Sequence, residues 1–340
     1  VVYMNCKINT MNTKVNTLSI SVDSIFRQNY DTTQASNFTF VLPEPISNVI
    51  SMKVTAIEIP NFWYMFSSKK RNNEFKLKVY NYKYQNVNEN IISVPSTEYH
   101  IVFPDGNYQN IDFVNFLTAY FNNIGGGLNY IIIEIDVNTG KTIFRARHPV
   151  DDATKPSPYD ISTPYYSSNF YFTLDFRLSD NLERPLFKNM GWILGFTKAF
   201  YIVNFDNNYT SYYIPHELNT PDKLITFNGY LKSESSYGNS LTNYIFLDLD
   251  DFNKSFTLDE IMSCLPRKYL QGNNIIARIS VYSSSNSINF TTASDAIMKS
   301  RTYFGPVEIS KLNIRLLDKF GEILEMNGND FSFLIEFKFI

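Results

Sequence analysis

The sequence of 340 residues predicts an all-β protein, most simply a β-sandwich. Its dominant pattern is a series of short runs of β-branched and aromatic residues that are separated by turn signals. The 29 Phe, 24 Tyr and 2 Trp residues are side chains that favour strands. The sequence lacks the strand–helix alternation of a parallel α/β protein, and no internal repeat indicates tandem domains.

The first strands are predicted from alternation of apolar and polar residues. Residues 1–22 predict an extended polar arm with at most a weak strand near residues 18–22. Residues 37–42 form the next strand, which Pro43 and Pro45 are predicted to stop. Residues 49–59 follow and are closed by Pro60. Later strands are predicted over residues 74–81, 98–103, 130–137, 141–147, 169–177, 244–249, 275–283, 307–317 and 331–340.

Two segments break the β pattern and predict helices. Residues 111–124, capped by Asn110, place an apolar stripe on one face, and Gly125-Gly126-Gly127 ends the helix. The stripe consists of Phe113, Leu117, Tyr120, Phe121 and Ile124. Thr257-Leu-Asp-Glu260 is a capping box that predicts a short second helix ending at Pro266. Asn138-Thr139-Gly140 predicts a hairpin turn.

Composition excludes some classes of protein and leaves one question open. The chain carries 30 Lys+Arg against 33 Asp+Glu, a net charge of −3, so it lacks the basic footprint of a nucleic-acid binder. Its 44% hydrophobic residues argue against disorder. Low charge with many aromatic residues is typical both of protein–protein interfaces and of a strand-rich core. Cys6 and Cys264 form no disulfide framework.

No catalytic or metal-binding pattern stands out, so the sequence predicts neither an enzyme nor a cofactor. His100, His148 and His216 lie in unrelated segments without metal-ligand spacing. Asp248-Leu-Asp250-Asp251 could hold a hard cation, but a solvated turn is the preferred interpretation. The three glycines at 125–127 follow a helix and therefore indicate a helix stop, not a phosphate loop.

A set of short motifs follows in order along the chain and carries a family resemblance. The order resembles that of the minor capsid proteins of nucleocytoplasmic large DNA viruses, over about residues 22–340. The motifs are Val22-Asp23-Ser24-x-x-Arg27, the block from Asn37-Phe38 to Pro60, Arg71-Asn72-Asn73-Glu74-Phe75, Pro104-Asp-Gly-Asn-Tyr108, Leu194-Gly195-Phe196, Arg301-x-Tyr303-Phe304-Gly305-Pro306, Asp318-x-x-Gly321 and Asn327-x-x-Asp330-Phe331-Ser332-Phe333.

The resemblance implies a jelly-roll protein of an icosahedral shell, without an active site. Its implied partners are the major capsid protein, other minor capsid proteins or copies of itself, and, as a further option, the inner membrane of the particle. A penton base in the same shell and a carbohydrate-binding β-sandwich are the alternatives. The implied location is the virion, assembled in the host cytoplasm. We expect one jelly-roll domain over residues 23–340, with an insertion around 186–240; the alternative is two tandem jelly rolls that break near residue 180.

Three structural expectations follow from these motifs. The blocks 37–60 and 307–340 should pack together, because strands so hydrophobic cannot stand alone. The second expectation concerns the segment Phe304-Gly305-Pro306. Gly305 should supply backbone freedom, Pro306 should start the next strand, and Arg301 should anchor the turn, so that Gly305→Val damages folding. The third expectation is that neighbouring subunits, and not its own core, order the arm 1–22.

Overall fold

The structure of the protein is a computed structural model that describes residues 14–86, 88–151, 157–159, 169–178, 180–213, 223–238, 243–254, 256, 263–264, 269–270, 274–281, 287–292 and 297–340. The strands in chain order are β1 (Asn16–Asp23), β2 (Asn37–Asn61), β3 (Glu74–Val79), β4 (Tyr82–Gln85), β5 (Ile91–Val94), β6 (Thr97–Val102), β7 (Ile131–Ile135), β8 (Lys141–Ala146), β9 (Phe172–Asp175), β10 (Phe200–Val203), β11 (Asn208–Tyr213), β12 (Lys223–Asn228), β13 (Tyr230–Ser236), β14 (Tyr244–Asp250), β15 (Ser263–Cys264), β16 (Tyr269–Leu270), β17 (Ile275–Ser280), β18 (Ser287–Thr292), β19 (Ile297–Met298), β20 (Ser300–Leu317) and β21 (Ser332–Phe339). The helices among these residues are α1 (Asn110–Ile124) and α2 (Met190–Ile193).

The chain divides into two compact units. Unit 1 consists of residues 1–63 and 242–340, and unit 2 consists of residues 64–241. The two ends of the chain therefore belong to the same unit, and the middle of the chain forms the other. Residues 186–240 lie within unit 2 and contain α2 and β10–β13.

Unit 1 is built on an eight-stranded antiparallel sheet. Its strand order is β1-β21-β2-β20-β14-β17-β19, and β18 also pairs with β2. β2 from the N-terminal block thus lies between β21 and β20 from the C-terminal block. The predicted packing of the blocks 37–60 and 307–340 is confirmed by this pairing.

The two longest strands of unit 1 contain register shifts. β2 continues through Pro43 and Pro45, which corrects the prediction that these residues stop the strand. Residues 42–45 of β2 stand opposite Ser310 alone, because Val41 pairs with Lys311 and Ile46 with Ile309. A bulge leaves residues outside the ladder of hydrogen bonds, so prolines without an N–H fit there.

The N-terminal arm also needs a correction. Residues 16–23 form β1, which pairs with β21 without a register shift from Asn16↔Phe339 to Asp23↔Ser332. Val22 is fully buried in the core of unit 1. This part of the predicted arm is therefore ordered by its own chain, while residues 1–13 lie outside the described residues.

The core of unit 1 consists of one large hydrophobic cluster and a small one formed by Phe246, Ile275 and Leu317. Strand residues such as Val54, Ile245, Ile314 and Ile335 meet in the large cluster, all at most 1% exposed. The burial of so many apolar side chains is the main source of its stability.

Unit 2 contains two larger sheets that share one aromatic-rich core. The sheets have the strand orders β10-β9-β3-β6 and β13-β8-β7. Phe75 and Leu77 of the first sheet and Ile133 and Phe144 of the second belong to the same buried cluster. The unit is therefore a β-sandwich. Hairpins β4–β5 and β11–β12 are attached to it along the chain.

Helix α1 packs on the core of unit 2, as its stripe predicts. Phe113, Leu117 and Phe121 are buried, whereas Ile124 is half exposed. Asn110 is the first helical residue and Gln109 holds the cap position, without a side-chain bond. The cap prediction was thus one residue late. The left-handed φ of 67° at Gly125 ends the helix, as predicted.

The predicted second helix is not supported where the chain is described. Most of residues 257–266 lie outside the described residues, but Ser263–Cys264 form β15, paired with β16. The helix that accompanies α1 is instead α2, a single turn that follows Asn189. None of the described helices is long and apolar enough to cross a membrane.

The predicted fold class, an all-β jelly-roll sandwich with one or two short helices, is confirmed in its all-β sandwich architecture and in the presence of two helices. The hairpin predicted at Asn138-Thr139-Gly140 is also present, since β7 and β8 pair across it.

Candidate interaction surface

Two motifs from opposite ends of the chain bind each other in unit 1. Asp330 accepts hydrogen bonds from the Ser24 hydroxyl at 2.7 Å, from Arg27 Nη1 at 2.5 Å and from the Tyr30 hydroxyl at 3.0 Å. The Arg27 guanidinium also lies 3.9 Å from the centre of the Tyr30 ring. The backbone N–H of Phe331 donates to the Ser24 hydroxyl at 2.9 Å. These bonds fix the loop after β1 to the residues that precede β21.

A second motif surrounds a buried carboxylate. Arg301 Nη1 donates to Asp251 Oδ1 at 2.6 Å, and the Tyr303 hydroxyl donates to Asp251 Oδ2. Arg301 Nη2 donates to the carbonyl of Leu249 at 3.0 Å, and its guanidinium lies 4.4 Å from the Phe256 ring centre. Burial, reinforced by the Asp251 charge, raises the pKa of Tyr303. Arg301 thus holds the segment after β14.

The acidic run at 248–251 is structural, which corrects the prediction of a solvated turn. Asp248 and Asp251 are 2% and 4% exposed. Asp248 Oδ1 accepts from Arg315 Nη2 at 2.9 Å, but burial dominates and raises the pKa of Asp248. The described residues contain no cluster of three or more side chains suited to a metal ion. The available signal was the apolar run at 245–249, in which Asp248 lies between Leu247 and Leu249.

The Phe304-Gly305-Pro306 segment differs from its prediction. It lies inside β20, where residues 303–306 stand opposite Ile50 alone. Pro306 therefore sits in a bulge and does not begin a strand. Gly305 has no left-handed φ, and a Cβ there would meet no atom within 4 Å. Phe304 is 75% exposed and points away from the core.

The remaining residues of the structural motif occupy strand ends and a turn. Asn37 begins β2 opposite Arg315, and Phe38 is buried against Phe331 with ring centres 6.3 Å apart. Pro60 pairs with Ile288 one residue before β2 ends. At the end of β20, Asp318 Oδ1 accepts from the N–H of Phe320 and Glu322, and Gly321 adopts a φ of 78°. These residues shape the backbone of unit 1.

The motif residues of unit 2 bond to neighbouring loops and strands of the same unit. The Asn73 side chain donates to the carbonyl of Phe103 at 2.6 Å. Asp105 accepts from the N–H and the hydroxyl of Ser68 at 2.7 and 2.8 Å. The N–H of Ser235 donates to the carbonyl of Gly195, whose φ is 88°. Each motif therefore stabilises a loop of its own unit.

The two described histidines lie in different places, and one of them contacts a motif residue. His100 Nε2 is 2.6 Å from Glu74 Oε2 on an exposed strand surface. His148 Nδ1 accepts from the N–H of Val150 at 3.2 Å. His216 is outside the described residues.

Large apolar side chains are exposed at separate places in unit 1. Phe26 is 78% exposed in the single 3-10 turn after β1, and Phe304 is exposed in the bulge of β20. Phe252 is half exposed beside Lys311, whose ammonium lies 4.5 Å from the ring centre. Lys311 pairs with the half-exposed Val41. Such side chains are typical of surfaces that meet another protein.

Phe252 is half exposed and also has an unfavourable backbone conformation. Its φ is 62°, which a bulky residue seldom adopts. Its N–H donates to Asp250 Oδ1 at 2.8 Å, and the preceding Asp251 is fixed by Arg301 and Tyr303. The buried network thus imposes a turn that presents an aromatic ring to solvent. No sequence signal indicated this position.

Unit 2 has an exposed apolar pair of its own. Phe200 and Ile202 lie on the outer face of β10, an edge strand. Asp175 and Thr173 of β9 stand beside them in register. This face is therefore half apolar and half polar, like the rim of an interface.

No protein-family model matches the chain, and no curated protein matches it by sequence. Solved structures align with nearly all of it. The penton protein of mavirus aligns over 96% of this chain and 100% of its own, with 8% sequence identity and a TM-score of 0.46. A chain of the cryo-EM structure of the Sputnik virophage aligns over 95% of this chain and 98% of its own, with 14% identity and a TM-score of 0.42.

Proposed function

We propose that this chain is a structural protein of an icosahedral double-stranded DNA virus shell, a minor capsid protein that links or supports capsomers of the major capsid protein. The observation that carries the proposal is the structural role of the motifs on which the family resemblance rests. In unit 1 the Ser24 and Asp330 motifs bind one another, and in both units motif residues hold loops in place, while Phe26, Phe252 and Phe304 remain exposed in different elements. Residues that fix a framework and leave separate apolar contacts suit a subunit with several neighbours.

The proposal includes contacts with the major capsid protein and with other minor capsid proteins or copies of this chain, and assembly in the host cytoplasm. It includes neither nucleic-acid binding nor catalysis. Of the described histidines, His100 faces a carboxylate on an open strand surface, and no nucleophile is bonded to that pair in the way acyl-transfer chemistry requires.

The test is cross-linking mass spectrometry on purified particles, combined with surface variants. We expect Phe304→Asp to fold normally, because its side chain is exposed, and to be incorporated poorly into particles. Ser310→Asp, an exposed position on the same strand, is the matched control and should be incorporated like the wild type.

Cross-links from two or more faces to the major capsid protein would support the proposal, and their pattern would separate a minor capsid position from a penton. Cross-links to inner-membrane proteins alone would contradict the placement between capsomers. A chain absent from particles that binds a sugar tightly or turns over a substrate would reject the shell role.

A further inference from the structure

In the described part of the chain, strand β1 forms one edge of the main sheet. Among the described residues β21 is the strand it pairs with, so its other side offers unpaired backbone groups. Proteins usually protect such an edge with a charge, a proline, a bulge or a short length. β1 has eight residues, an unbroken register and no charge before Asp23.

The buried apolar side chains on one face of β21 continue onto the same face of β1. On β21, Phe333, Ile335 and Phe337 are at most 3% exposed. Their partners on β1 are Val22, Ile20 and Leu18. Exposure rises along that row, from 0% at Val22 through a half-buried Ile20 to 40% at Leu18. The inner face of β1 is therefore covered only at one end.

We infer that β1 pairs antiparallel with β1 of a second copy of this chain, across a two-fold axis at Ser19. This register keeps the inner faces of both sheets on the same side, because opposed residues share a face. Leu18 then stands against Ile20 of the second copy, and the reverse, so the apolar row continues through both chains. The inference rests on the edge strand and holds independently of the shell role.

The self-complementary row of Leu18 and Ile20 favours a second copy as the occupant, and the charges are compatible with it. In this register Asp23 faces Val15, so no acidic residue opposes another. The strand pair buries less than the roughly 1,200 Å² of a stable interface, so it forms a weak contact that adds to others in an assembly. A covalent trap is therefore the suitable probe.

The trap uses single cysteines in the full chain, with Cys6 and Cys264 replaced by Ser. Ser19→Cys places two thiols opposite each other at the axis, where a disulfide is within reach. Thr17→Cys is the matched control: it lies on the same face of the strand and is also exposed, but it faces Ser21 of the second copy. We expect Ser19→Cys to form covalent dimers under mild oxidation, Thr17→Cys to stay monomeric, and a mixture of Thr17→Cys with Ser21→Cys to form dimers.

A charge variant gives an independent measurement. Ser19→Lys would face Glu336 within its own chain, so the fold keeps its stability, but it would face a second lysine across the axis. We expect self-association, measured by sedimentation at high protein concentration, to weaken at least about fivefold. Equal cross-linking of Thr17→Cys and Ser19→Cys would overturn the inference. So would a wild type that stays strictly monomeric in sedimentation together with a Ser19→Cys chain that forms no covalent dimer.

Discussion

Gly195 and Gly305 differ in the space around their α-carbons. Gly195 has a φ of 88°, and a Cβ there would press on the backbone carbonyl of Ser235. Gly305 has neither constraint. We therefore expect Gly195→Ala to lower the free energy of unfolding by more than about 2 kcal/mol, through strain and steric overlap.

Gly305→Val is the contrasting variant, because a β-branched residue suits an open position in a strand. We expect it to change the free energy of unfolding by less than about 0.5 kcal/mol in chemical denaturation. A loss at Gly305 as large as that at Gly195 would contradict this reading of the bulge.

Phe252 provides a test of the strain imposed by the Asp251 network. In a left-handed conformation glycine costs less than any residue with a Cβ. We expect Phe252→Gly to be more stable to denaturant than Phe252→Ala by about 1 kcal/mol, although both lack the ring. If Phe252→Ala were instead more stable than Phe252→Gly, the backbone at residue 252 would have left the left-handed conformation in these variants.

At the scale of elements, Asp330 fastens the loop between β1 and β2. Its carboxylate bonds to Ser24, Arg27 and Tyr30, and the Arg27 side chain is 7% exposed. Asp330→Asn keeps the shape but removes the charge that Arg27 requires. We expect it to lower the free energy of unfolding by about 2 kcal/mol. Asp31→Asn, exposed in the same loop, is the control and should behave like the wild type; an equal loss in both would exclude the pairing as the cause.

The ion pair between Lys232 and Asp136, which lies in the turn after β7, should make the stability of the fold depend on pH. Lys232 donates to Asp136, and this bond lowers the pKa of Asp136 to about 2. Because the pKa is lower in the folded state than the ordinary 3.8, the bond stabilises the fold above about pH 4 and loses this effect as the pH falls toward 2.

Lys232→Met should therefore be less stable than the wild type at pH 7, and the difference should shrink between pH 4 and pH 2. Lys83→Met, at an exposed position on β4, is the control and should show no such trend. Denaturation at a series of pH values measures both; a difference that stays constant with pH would rule out the ion pair.

At the scale of the whole molecule, unit 2 is a continuous segment with its own core, whereas unit 1 needs both chain ends. We expect a fragment of residues 64–241 to unfold cooperatively and to show an aromatic near-ultraviolet circular dichroism signal. A fragment of residues 1–63 should show neither, because β2 would lack both β20 and β21. A 64–241 fragment without fixed aromatic packing would show that its core depends on unit 1.

Local patterns predicted the local elements. The stripe of α1, the alternation of β3 and the turn between β7 and β8 follow from neighbouring residues. The length of β2 could not be predicted from neighbouring residues, because prolines usually end a strand. Only the pairing with β20 shows that Pro43 and Pro45 lie in a bulge. The capping box at Thr257 likewise carried no information about the strand at Ser263–Cys264.

The packing of the blocks 37–60 and 307–340 was predicted from their hydrophobicity, but the individual side-chain partners across the chain were not. Ser24, Arg27 and Asp330 were named within motifs, but their pairing across some 300 positions arises from β1 joining β21. The boundaries of the units, after Trp63 and before Thr242, depend on the same distant pairing. Asp251 was missed as a structural residue because an acidic run usually indicates a solvated turn.

The central position of β2 also sets an order of events during synthesis. Translation proceeds at about 5–20 residues per second, so β20 and β21 leave the ribosome some tens of seconds after β2. Unit 2 is complete by then, while β2 waits with both edges unpaired. A chain that stops early can never close its main sheet, so only full-length products acquire a finished unit 1.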